Sequence, residues 1–86
     1  MRYTYDVTEW IGEIVIASQN INIYSENQAQ RIARIRTGEI VFIVCATLVG
    51  REHKHVSVSL LRGGELLKLR TSYNLNFWFK RMSAHE

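Results

Sequence analysis

The chain has 86 residues, 47% of them apolar and 22% charged, with no proline and one cysteine. That content is enough for one modest core and too little for two, so a single domain over residues 1–86 is expected, and the mixed charges without low-complexity stretches exclude wholesale disorder. A formal net charge of +3 permits a polyanionic partner but falls far short of a histone-like concentration of positive charge.

Residues 3–9, YTYDVTE, alternate in β-favouring side chains and predict a first strand, after which Gly12 turns the chain. Ile14 and Ile16 lie on even positions and Ile21 and Ile23 on odd ones, so the apolar face changes parity across Ser18, Gln19 and Asn20. A bulge or tight turn is expected there. The N-terminus lacks the apolar core of a secretory signal, and the longest apolar run is about half of the ~20 residues a membrane span requires. A lone Cys45 cannot form an internal disulfide, so the expectation is a cytoplasmic protein with no membrane partner.

The following stretch, SENQAQRIARIRTG, predicts a helix over about residues 26–37. Ser25 and Gln28 match a capping box, and Gly38 stands where a left-handed residue closes a helix. At about 100° per residue, Ala29, Ile32, Ala33 and Ile35 share one arc that would face a sheet. Arg31 and Arg34 would then project to solvent opposite them, and Arg36 would complement the helix dipole.

Ile40–Val49, IVFIVCATLV, is apolar on both parities, the pattern of a strand covered on both faces. One short helix covers only one face, so a curled sheet or a second subunit is expected on the other, and the leading expectation is a homodimer. Cys45 inside this run reads as core packing. Residues 50–54, GREHK, form a polar turn. In HVSVSLLRGGELLKLRTS, Gly63-Gly64 joins two alternating runs as a two-residue hairpin turn. That turn sets Arg62 against Glu65, Leu60 against Leu67, Val58 against Leu69 and Val56 against Thr71 on one apolar side. Ser57 meets Arg70 and Ser59 meets Lys68 on the other, with His55 near the end. The last run, NLNFWFKRM, reads as a strand with Leu75, Phe77 and Phe79 on one face and Asn76, Trp78 and Lys80 opposite, before a fraying tail.

The chemistry-bearing residues are sparse. His53 and His55 lack further ligands at metal-site spacing, so neither a metal nor another cofactor is expected. Cys45 has no neighbouring base, Asp6, Glu9 and Glu13 read as solvated carboxylates, and the glycine pair joins strands instead of opening a helix around a phosphate. A non-enzymatic protein is expected. The binding candidates are Arg31 and Arg34 on the helix and Lys68, Arg70, Trp78 and Lys80 on the C-terminal strands, because cations meet phosphates or acidic partners and an aromatic can stack or anchor.

The run INIYSENQAQRIARI, with a strand entering S-x-x-Q-A-x-R-I-A and a further strand after it, resembles small phage and mobile-element accessory proteins of the anti-CRISPR type over residues 21–44. The resemblance implies a compact protein that blocks or modulates a nucleoprotein machine through surface contacts. The expected fold is α+β, a curved, mainly antiparallel sheet of five or six strands with one short helix at about residues 26–37 packed on it. The expected function is a small interaction domain, a phage-type inhibitor or adaptor for a protein or nucleoprotein target; the alternative is sequence-independent nucleic-acid binding through the basic helix and hairpin faces.

Overall fold

A computed structural model of the chain describes residues 7–25, 27, 29–50 and 55–82. Four expectations therefore involve positions outside the described residues: the first strand at residues 3–6, the Gln28 half of the capping box, the turn at residues 51–54 with His53, and the tail from residue 83. The fold is α+β and mainly antiparallel. A five-stranded sheet, not closed into a barrel, carries a two-stranded sheet and one short helix. No helix among the described residues is long and apolar enough to cross a membrane.

Val7–Trp10 opens the described chain as a 3-10 helix that buries Val7 and Trp10, so residues 7–9 are helical where the alternation predicted a strand. β1 (Ile14–Ala17) then pairs antiparallel with β4 (Ile40–Val49) on one side and with β7 (Phe79–Arg81) on the other. β5 (His55–Arg62) and β6 (Glu65–Thr71) complete the order β6-β5-β4-β1-β7. The β5–β6 register follows the sequence reading at every pair, from Arg62 opposite Glu65 to Val56 opposite Thr71. Gly63 and Gly64 have φ of 55° and 87°, the double left-handed conformation that a tight hairpin turn requires.

The parity change at Ser18 to Asn20 is the point where the chain leaves the large sheet. β2 (Ile21–Tyr24) and β3 (Arg31–Ile35) form a separate hairpin, with Ile21 opposite Ile35 and Ile23 opposite Ala33. The helix expected at residues 26–37 is therefore replaced by a turn and a strand. RIARI fits either period, and tertiary context decides: burying Ile21, Ile23 and Ile35 leaves β2 needing a partner for its backbone, which β3 provides. Ile32 and Ala29, assigned to the helix's buried arc, are exposed. Gly38 is left-handed at φ 94°, but it closes the turn from β3 into β4, so Arg36 has no helix dipole to complement.

β4 bears on a second expectation. Its run is apolar on both parities partly because the pairing with β5 slips at Val44: Val41 and Ile43 point inward before the irregularity and Ala46 after it. Within the single chain the outward residues Ile40, Phe42 and Val44 are exposed, so the chain itself covers only one face of the strand. Cys45 also points outward and is exposed, not core packing.

The core lies between the inner face of the large sheet and the β2–β3 hairpin. Val15, Val41, Ile43, Val58 and Leu60 meet Ile21, Ile23 and Ile35, with Leu75 and Phe79 joining from the C-terminal segment. Each such side chain contributes roughly 1.5 to 3 kcal/mol by leaving water. The expected final strand is divided. Residues Leu75–Trp78 form the short helix α1, and only Phe79–Arg81 extend as β7, which leaves Phe77 exposed while Leu75 and Phe79 are buried.

Candidate functional site

Two surfaces emerge from this arrangement. The first is the outer face of the large sheet. Directly paired positions set Leu66 beside Leu61, Leu61 beside Phe42, and Phe42 beside Ile14. Met82, just beyond β7, donates its N–H to the Ile14 carbonyl at 3.0 Å and extends the same row. All five side chains are exposed, from 37% at Phe42 to 61% at Leu66, so an apolar band crosses the entire sheet. Ile14 and Met82 end it in a shallow depression of about 400 Å³ shared with Gly12 and Glu13. Lys68 lies two residues along β6 from Leu66 on one side of the band, and Lys80 lies opposite Ile16 on the other.

The second surface is a hollow of about 310 Å³ between β2 and the β5–β6 hairpin, lined by Asn22, Tyr24, Ser25, Ser57, Lys68, Leu69 and Arg70. Alternation along INIY explains half of it: Ile21 and Ile23 are buried, which turns Asn22 and Tyr24 outward. The β5–β6 ladder supplies the rest by setting Ser57 opposite Arg70. Across the small hairpin, Arg34 is opposite Asn22 and Arg31 opposite Tyr24, with a bulge between Ile23 and Tyr24. Arg34 Nε donates to Asn22 Oδ1 at 3.3 Å.

Electrostatics separates these cations from their structural counterparts. Arg62 bonds Glu65 at 3.1 Å and faces Glu39 at 3.6 Å, and Arg81 bonds Glu9 at 3.1 Å while lying 4.6 Å from the Trp10 ring centroid. Arg31, Lys68, Arg70 and Lys80 have no carboxylate partner among the described residues.

Of the six residues singled out in the sequence, Lys68 and Arg70 line the hollow, and Arg31 and Arg34 stand across from two residues of the β2 strand that walls it. Lys80 is separate, on the edge strand β7. Trp78 is half-buried against the core, and its indole Nε1 donates to Thr71 Oγ1 at 2.8 Å. The exposed aromatics beside it are Tyr73 and Phe77, stacked with centroids 4.7 Å apart. Sequence reading missed Tyr24, Asn22 and the outer row. The alternation in INIY already turned the first two outward, and the second parity of the hairpin, Leu61 and Leu66, carried the row's signal.

His55 is exposed, and among the described residues no group of three or more His, Cys, Asp or Glu side chains could hold a metal ion. Comparison with known proteins finds no matching family model, no matching curated protein and no matching solved structure.

Proposed function

We propose that the protein is a non-enzymatic interaction domain, an inhibitor or adaptor of the small phage type, that binds a target protein through the outer face of its five-stranded sheet. The observation carrying this reading is the exposed row Leu66, Leu61, Phe42, Ile14 and Met82. A row of five apolar side chains joined across a whole sheet is a cluster, whereas scattered exposed apolar residues are ordinary. Lys68 and Lys80 flank it without carboxylate partners among the described residues, so the band has an apolar centre and a basic rim. The fitting target presents an apolar ridge bordered by Asp or Glu. That target is a bare protein or the protein part of a nucleoprotein.

The test uses nuclease-treated host lysate. Proteins retained by the wild-type chain are quantified against those retained by the Ile14→Asp/Leu66→Asp variant, whose changes are about half exposed and expected to leave melting within ~0.5 kcal/mol of stability. At least one protein retained by the wild type should fall about tenfold with the variant, in line with loss of two apolar contacts. An identical retained set would overturn the reading.

A further inference from the structure

We propose that the hollow between β2 and β6 binds single-stranded nucleic acid, with Lys68 and Arg70 holding a phosphodiester and Tyr24 supplying a face for the adjoining base. The site shares Lys68 with the rim of the apolar row but none of the row's own side chains, and the inference does not rest on the outer-face reading.

The lining sets the ligand's charge. Lys68 and Arg70 enter the hollow from one edge strand, two residues and therefore about 6.8 Å apart along it. Neither has a carboxylate partner among the described residues, and none of the described carboxylates lines the hollow. The neutral groups add donors. The Ser57 hydroxyl can donate, and the Asn22 amide is oriented by Arg34, whose Nε occupies its Oδ1 and leaves Nδ2 as the donating end. Two cations and two further donors suit a phosphodiester, which holds its charge at every physiological pH and adds ester and sugar oxygens to the two charged ones that a carboxylate also has.

Size and surroundings set the rest. At about 310 Å³ the hollow is at the lower limit of small-ligand sites and accommodates roughly one nucleotide. The cationic surface does not stop at its rim, since Arg34 stands opposite Asn22 and Arg31 opposite Tyr24 on the neighbouring strand. A mononucleotide would leave those two arginines unused, whereas a strand passing over the β2–β3 hairpin meets all four cations. Tyr24 is 43% exposed, which leaves its ring free to stack on an unpaired base. Bases inside a duplex offer no such face, so the ligand is single-stranded.

Fluorescence anisotropy with a labelled twelve-residue oligothymidine tests this. Engaging four cations on a single strand, the protein should lose about 50-fold in affinity between 50 and 200 mM salt. Lys68→Glu/Arg70→Glu should weaken binding at least 30-fold, and Tyr24→Ala about tenfold, with Tyr24→Phe within twofold of wild type because the stacking face is retained. Thermal melts accompany each variant, and Lys68→Ala/Arg70→Ala replaces the reversal if that protein does not fold. Thymidine monophosphate and a duplex of the same length should compete at least tenfold less well than the oligonucleotide. Absence of binding at 50 mM salt, wild-type affinity in the Lys68/Arg70 variants or in Tyr24→Ala, or equal competition by the monophosphate or the duplex would each overturn the proposal.

Discussion

The Arg62 guanidinium donates to the main-chain carbonyl of Arg34 at 2.6 Å, clasping the β2–β3 hairpin to the end of the β5–β6 hairpin. The same group bonds Glu65 at 3.1 Å and lies 3.6 Å from Glu39 at the entry to β4, so one planar fork joins three parts of the fold. Its side chain is about a quarter exposed, which reduces the ionic contribution. Arg62→Ala should lower stability by about 1 to 2 kcal/mol in denaturant unfolding and speed amide exchange in β3 more than in β4. Arg62→Lys should recover less than half, since a single ammonium nitrogen cannot span acceptors that the guanidinium reaches from Nη1 and Nη2. An unchanged midpoint in Arg62→Ala would mean the clasp carries no net energy.

A second prediction concerns Trp78. Thr71 is buried, and its hydroxyl oxygen accepts both the Trp78 indole N–H at 2.8 Å and the Tyr73 backbone N–H at 3.0 Å. Trp78→Phe removes one donor and should cost about 1 kcal/mol, while Thr71→Val leaves two donors without their acceptor and should cost about 1 to 3 kcal/mol. A double-mutant cycle in thermal unfolding should give coupling of at least 0.5 kcal/mol. Because Trp78 is held by this bond, Trp78→Phe should retain the same lysate proteins as wild type; loss of them at unchanged stability would return the residue to the binding surface.

Cys45 gives a third. It sits opposite Ser59 on the outer face and is exposed. Cys45→Ser should therefore change stability by no more than about 0.5 kcal/mol, and the thiol should react stoichiometrically with a maleimide in the folded protein. Labelling only after denaturant is added would contradict the exposed position.

The legible and illegible parts of this sequence differ in how local their causes are. The β5–β6 ladder was readable pair by pair because Gly63-Gly64 fixes the turn and the turn fixes every later pair. The fate of RIARI was not, because its residues satisfy a helical arc and a strand face equally, and the deciding partner, β2, acts through tertiary burial of Ile21 and Ile23. Val44 illustrates a third case. A one-residue slip resets parity within a single run, so IVFIVCATLV reads as covered on both sides although Ile40 and Phe42 face outward. The basic half of the candidate hollow was visible as Lys68 and Arg70 opposite two serines. Its other wall was hidden, because Asn22 and Tyr24 matter only once the small hairpin stands beside β6.

The final prediction concerns the outer row in the absence of any target. Leu66, Leu61, Phe42, Ile14 and Met82 are only 37% to 61% exposed, and a single row of five such side chains falls short of the roughly 800 Å² per partner that a standard stable interface buries. A second copy meeting this face would be held weakly, and Lys68 and Lys80 at its margins would oppose their counterparts in many orientations. Sedimentation velocity over a dilution series should therefore reveal a monomer at about 10 µM and a reversible dimer growing in above about 100 µM, favoured by added salt as the lysine repulsion is screened. Ile14→Asp/Leu66→Asp should stay monomeric throughout, and Lys68→Glu/Arg70→Glu should dimerise at least as well as wild type. A wild-type chain that remains monomeric at about 500 µM in high salt would end the dimer reading and leave the row to a target protein alone.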